Sequence, residues 1–189
     1  MCGGQGTRLR PEIEAEKPLV EVGGRPMVDH VLAALRESSV ETIHAAVSPA
    51  TPETTTHLEA VDDVQVIETP GEGYVADLGT ALDMVGRPVV TVTADLPLLA
   101  AVHVDRLINL YKNSSLSVCV PLAVAERVCE SVETTVDHEE STVVPTGLNV
   151  VGEREDQSQR LVSEDERLAL NVNRPADRRR ADRWLLDSE

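Results

Sequence analysis

A chain of 189 residues with 41% apolar content and no phenylalanine is long enough for one domain whose core is built from Val, Leu, Ala and Ile. Its 33 Asp and Glu against 17 Lys and Arg give a net charge of −16, which repels nucleic acid and anionic membranes at long range. The 3 cysteines lack C-x-x-C spacing, the 5 histidines are dispersed, and no run approaches the roughly 20 apolar residues of a bilayer span, so a disulfide framework, a zinc cluster and a membrane anchor are not expected.

The chain opens on Cys2-Gly3-Gly4-Gln5-Gly6-Thr7-Arg8-Leu9, with Glu16-Lys17-Pro18-Leu19 close behind. Glycines so spaced let the backbone turn sharply and present successive N–H groups to an anion, as in a polyphosphate cradle. Thr7 adds a hydroxyl, and Arg8 and Lys17 add positive charge. The spacing is neither the dinucleotide fingerprint G-x-G-x-x-G nor a Walker loop. Only Met1 and Cys2 precede Gly3, so the buried strand that anchors such a loop is expected to be truncated here, with apolar residues upstream of Met1.

Downstream, helical and extended patterns alternate. Met27 to Arg36 has helical apolar spacing, and Thr42 to Val47 and Val64 to Ile67 read as short strands. Val75 to Val85 reads as a helix, Pro88 to Thr93 as a buried strand rich in β-branched residues, and Val102 to Tyr111 as a helix. Leu116 to Val120, Thr142 to Val151 and Leu168 to Val172 are further expected strands; Pro175 to Leu186 closes with a helix capped by Asn173. Ala125 to Glu140 and Glu153 to Glu166 are acidic and poorly periodic, and read as surface excursions. This β–α alternation predicts an α/β, Rossmann-like, doubly wound and mostly parallel sheet in a single domain, 1–189.

Ligands of such sheets gather at the carboxyl ends of the strands. Asp95 follows the run from Val89 to Ala94 and sits at such an end, where a carboxylate can share Mg²⁺ with substrate phosphates; the plain alternative is a turn or helix-cap Asp. Ser48 begins the Ser48-Pro49-Ala50-Thr51-Pro52 turn after the second strand. Gly71 and Gly73 permit close approach of a base or ribose, and Asp77 either accepts from the nucleoside or stabilises the first turn of a helix. Gly147 inside a strand pattern marks a bulge or a close backbone approach, and Asn171 lies within reach of the phosphate or metal region.

Taken together, GGQGTRL, EKPLVEVGGRPMVDHV, SPATP, GEGYVADL, TADLPLL, VPTGLNVV and NVNRPAD resemble the archaeal adenosylcobinamide-phosphate guanylyltransferases, relatives of the molybdenum cofactor guanylyltransferases. The resemblance runs from the first residues to the last helix. It implies transfer of GMP from GTP to adenosylcobinamide phosphate, with Mg²⁺ as cofactor, in assembly of the cobalamin nucleotide loop. By the same resemblance Gly3, Gly4, Gly6, Thr7 and Arg8 hold the triphosphate, Lys17 approaches the α-phosphate and Asp95 carries the metal. Ser48, Gly73 and Asp77 would serve the nucleoside, and Gly147 and Asn171 would border nucleotide or acceptor.

Leu9-Arg10-Pro11 and the acidic stretch after it are more like the sugar-nucleotide enzymes, which leaves a molybdenum cofactor or sugar-1-phosphate nucleotidyltransferase, or a non-catalytic nucleotide-binding module, as alternatives. Dispersed acidic residues with lysine only at Lys17 and Lys112 read as adaptation to a salty, reducing cytoplasm of haloarchaeal type. Nothing in the pattern fixes an oligomeric state, and a homodimer stays open.

Overall fold

The computed structural model describes residues 1–3, 9 and 13–187, the side chains of 155–157 excepted. A small antiparallel hairpin, β1 (Glu21–Val22) and β2 (Arg25–Pro26), leads into α1 (Met27–Arg36). Then come β3 (Ile43–Val47), α2 (Pro52–Glu59), β4 (Val64–Glu68), α3 (Tyr74–Val85) and β5 (Val89–Thr91). The second half contains α4 (Ala101–Leu110), β6 (Ser114–Pro121), α5 (Leu122–Val128), β7 (Val136–His138), β8 (Ser141–Val151), β9 (Arg154–Val162) and α6 (Pro175–Leu186).

β3 and β4 pair in parallel, and β5, β8, β6 and β9 form a second ladder in that order, with β7 on β8. Met1 and Cys2 join the two ladders. Met1 N donates to Val92 O at 3.0 Å and Met1 O accepts from Ala94 N at 3.2 Å, while Cys2 N donates to Ala46 O at 2.8 Å. The resulting sheet runs β4, β3, Met1–Cys2, β5, β8, β6, β9, and β8 alone among these runs against the rest. It is therefore the mostly parallel α/β sheet that the sequence predicts. Alternate β3 residues serve opposite faces. Ala45 and Val47 cluster with Val28, Leu32 and Leu58 of α1 and α2, whereas Ala46 clusters with Ile67 and Ala81 of α3.

Below Met1 the sheet is open. A cavity of about 420 Å³ separates the start of β3 from the start of β5, lined by Ile43, His44, Val89, Val90, Val85 and Tyr111 among others. Its width is set by Met1–Cys2, which spans the same gap one step higher with hydrogen bonds to both neighbours. The cavity thus has the breadth of one strand and two unpaired edges.

Several expectations are corrected. Val89–Thr91 is the only regular part of the segment from Pro88 to Thr93, and Val89 and Val90 are half-buried because they border the open slot. Leu168 to Val172 is not a strand: Glu166–Leu168 is a 3-10 turn and the rest is irregular, although Leu168, Ala169, Leu170 and Val172 are buried. The first supposed excursion contains the end of α5, whose Val124, Ala125 and Val128 are buried, and then β7. The second contains β9, a polar edge strand paired in parallel with β6, which explains its missing apolar alternation. Asn173 does not cap α6. Its place is taken by Asp177, whose Oδ2 accepts from Arg174 N at 2.9 Å and Asn173 N at 3.2 Å.

Candidate active site

The extension of β5 carries the chain past Thr93, whose N–H donates to Gly147 O at 3.2 Å, to Asp95 at the carboxyl end of the sheet. Lys17, the first residue of a 3-10 turn (Lys17–Leu19), reaches across to it. Its Nζ donates to Asp95 Oδ2 at 2.5 Å and to Asn173 Oδ1 at 2.7 Å. Asn171 Nδ2 donates to Asp95 Oδ1 at 3.0 Å and to Thr146 O at 3.1 Å. The backbone between the two asparagines is fixed by Val172 N donating to Asp95 O at 2.8 Å. Asn171 thus serves Asp95 and Asn173 serves the cation beside it.

Burial alone raises the Asp95 carboxyl, but the Lys17 charge, together with hydrogen bonds from Lys17 and Asn171, outweighs it and holds the group below its ordinary value of 3.8. Asp95 is thus an anion that depends on one cation.

Two cavities meet at this carboxylate. One, of about 310 Å³, is bounded by Gly3, Lys17, Gly71, Gly73, Asp77 and Asp95. The other, of about 420 Å³, is bounded by Ser131, Glu133, Pro145, Gly147, Asn171 and Asn173. Tyr74, Thr93 and Asp95 line both. Two bound molecules in these cavities would face each other across Asp95.

Gly4, Gly6, Thr7 and Arg8 lie outside the described residues. Gly3 follows the Met1–Cys2 bridge, and its carbonyl accepts from Ser48 Oγ at 3.3 Å, so the Ser48 hydroxyl is committed to Gly3. Leu9, at the far end of that segment, is buried among Val20, Val22, Met27, Leu98 and Leu170. Asp77 is buried on α3 and its Oδ1 accepts from Gly71 N at 2.8 Å, which ties the turn before α3 to its first turn. Gly73 has φ +110 and opens directly onto the smaller cavity. Gly147 has φ +85, and a Cβ there would lie 2.4 Å from Thr93 Oγ1, so the close approach of β8 to the β5 extension requires glycine. Lys17, Asp95 and Asn171 are brought together; Ser48 and Asp77 support the walls of the smaller cavity.

Asn173 and Tyr74 line the site, and sequence reasoning did not assign them. Asn173 was masked by its resemblance to a cap before Pro175; the signal available was its alternation with Asn171. Cys129 lines the larger cavity, where burial and the nearby Asp177 push its thiol up to about 11, and its Sγ donates to Ala169 O at 3.0 Å. It is a protonated wall residue and not a nucleophile.

Among the described residues no three His, Cys, Asp or Glu side chains converge. The oxygens of Asp95 and Asn173, already gathered about a cation, are hard donors of the kind Mg²⁺ uses when substrate phosphates complete its shell. They fit such an ion. No helix among the described residues is long and apolar enough to cross a membrane.

Gly3, a lysine and a strand-end carboxylate at the open end of a mostly parallel sheet define a nucleotidyltransferase-type α/β protein. The chain belongs to the MobA-like NTP transferase domain family, whose model matches residues 1–168. It is 27% identical over 189 residues, covering 98% of this chain and 95% of its relative, to an adenosylcobinamide-phosphate guanylyltransferase of Methanocaldococcus jannaschii. Among solved structures it superposes on a candidate glucose-1-phosphate thymidylyltransferase of Bacillus anthracis with TM-score 0.70 and 16% identity, covering 98% of this chain and 93% of the other. It also superposes on a CMP:2-keto-3-deoxy-manno-octonic acid synthetase with TM-score 0.67 and 12% identity, covering 92% and 93%. These structural likenesses bear on the fold.

Proposed function

We propose that the protein transfers GMP from GTP to adenosylcobinamide phosphate, giving adenosylcobinamide-GDP and pyrophosphate. The observation that carries the acceptor assignment is the likeness to the Methanocaldococcus jannaschii enzyme along 98% of the chain. The paired cavities beside Asp95 support a two-substrate transfer. The smaller one takes GTP, with its triphosphate against Gly3 and Lys17 and its nucleoside toward Gly73 and the turn held by Asp77. The larger one receives the acceptor phosphate between Tyr74, Gly147 and Asn171.

An oxygen of the acceptor phosphate forms a bond to the α-phosphorus as the bond from that phosphorus to the β-bridging oxygen breaks. Pyrophosphate leaves with the bonding pair. A phosphate monoester is already ionised near pH 7, so no general base is needed. The chain's own contribution is alignment and charge. Lys17 neutralises charge developing at the α-phosphate, Asp95 would offer its carboxylate to the metal, and Asn171 holds that carboxylate in orientation. Mg²⁺, held by Asp95 and Asn173 together with the nucleotide, would supply further neutralisation of the triphosphate.

The test is pyrophosphate release from GTP with a panel of acceptors: adenosylcobinamide phosphate, molybdopterin and several sugar 1-phosphates. Release stoichiometric with a corrinoid-GDP product is expected. Release with a sugar phosphate or molybdopterin alone would transfer the assignment to that acceptor, and no release with any acceptor would favour a binding module.

A further inference from the structure

In the free protein the position between Asp95 and Asn173 is held by Lys17, at 2.5 Å from one oxygen and 2.7 Å from the other. Both partners belong to the donor set suited to the divalent ion. An ammonium and a divalent cation cannot occupy one oxygen cluster together. The side chains of Lys17 and Asp95 are 15% and 16% exposed, so water screens little of their repulsion or attraction. Lys17 is also the one side-chain cation among the described residues that line the smaller cavity. A triphosphate entering there has Lys17 to recruit, and each recruitment leaves the half-buried Asp95 without its counter-charge.

We propose that Lys17 is a displaceable counter-ion: it closes the metal position in the free protein and yields it when the nucleotide draws it away, so the divalent ion enters with the nucleotide and not before. This rests on the nucleotidyltransferase reading of the site but not on the corrinoid acceptor. Exchange of one cation for another at Asp95 makes the coupling reciprocal, the nucleotide raising metal affinity by the factor with which metal raises nucleotide affinity. It also pairs the carboxylate with a cation both before and after the nucleotide enters, and it keeps Lys17 committed to Asp95 until a substrate phosphate competes for it.

The experiment is Mn²⁺ titration of the full chain followed by electron paramagnetic resonance, without nucleotide or acceptor. Wild type is expected to bind Mn²⁺ weakly. Lys17→Met and Lys17→Gln are each expected to bind it at least tenfold more tightly, because Asp95 is then unpaired. Lys17→Arg, which keeps the positive charge, is expected to stay near wild type, and Asp95→Asn added to Lys17→Met should remove the gain. Thermal melting confirms that each variant is folded. A folded Lys17→Met or Lys17→Gln that binds Mn²⁺ no more tightly than wild type would overturn the proposal, as would wild type that already binds as tightly as the variants. Failure of corrinoid transfer would leave these outcomes readable, since no acceptor is present.

Discussion

Glu16 caps a helix that begins 36 residues after it in the chain: its Oε2 accepts from Thr54 N at 2.8 Å and from Thr54 Oγ1 at 2.6 Å, while its Oε1 accepts from Glu53 N at 2.9 Å. Thr51, at the cap position of α2, makes no side-chain capping bond, so a carboxylate from outside supplies it and meets the positive end of the helix. The same contact fixes the backbone immediately before Lys17.

Glu16→Ala is therefore expected to act twice. Loss of a cap of this kind costs about 1–2 kcal/mol of stability. Urea unfolding should show a lower midpoint with an unchanged slope, and turnover should fall beyond what the folded fraction explains. A midpoint shift with unaltered turnover per folded molecule would confine Glu16 to the helix.

The open slot below Met1 makes an engineering prediction. Four apolar residues fused ahead of Met1 are expected to pair with the free edges of β3 and β5. Each buried side chain contributes roughly 1.5–3 kcal/mol, against about 1–2 kcal/mol per residue of backbone ordering, so a net gain of a few kcal/mol is expected. The melting temperature should rise, whereas an extension containing proline at alternate positions should leave it unchanged. Equal melting temperatures for both extensions would show that the slot does not take a strand.

Much of this arrangement was legible in the sequence because local rules and burial agree there. Met27–Arg36 and Pro175–Leu186 have the predicted bounds, since apolar spacing and a proline at each start point the same way. β9 was not legible: an edge strand next to β6 needs no apolar alternation, and its polar residues resemble a loop. The segment from Leu168 to Val172 misled for the opposite reason. It is apolar because it is buried, while its backbone bonds go to Asp95 and neighbouring turns and not to a ladder. At the site, Lys17 and Asp95 stood out by type and context. Asn173 did not, because a cap and a lysine partner use the same residue.

Acid should weaken the fold in two windows. Burial lowers the His103 pKa from 6.5, and its Nδ1 must be unprotonated to accept from Ala100 N at 3.1 Å. Below pH 6.5 the unfolded chain gains a proton the folded chain resists, so stability is lost as pH falls toward the depressed folded value. Asp95, also depressed, contributes stability that is present above 3.8 and lost as pH falls through its folded value. Melting temperatures between pH 8 and pH 3 should show both declines, and Asp95→Asn should flatten the lower one while leaving the upper. A variant with an unchanged acid limb would remove Asp95 from the account.

Salt should stabilise the protein. With a net charge of −16 and a core without phenylalanine, self-repulsion competes directly with limited burial. Molar salt shortens the screening length to about 3 Å. Dilution from molar KCl to about 0.1 M, where that length is roughly 10 Å, is expected to lower the melting temperature markedly. A melting temperature constant over that range would contradict the salt-adapted reading.

The central claim is that Lys17 acts on the charge of the reacting phosphate beside Asp95. The measurement that bears on it most directly is turnover of Lys17→Ala with GTP, adenosylcobinamide phosphate and Mg²⁺, set against its GTP affinity by calorimetry. A fall in kcat of about 100-fold or more, equivalent to about 2.7 kcal/mol, with a much smaller loss of GTP affinity, is the expected result. Turnover within threefold of wild type would contradict it.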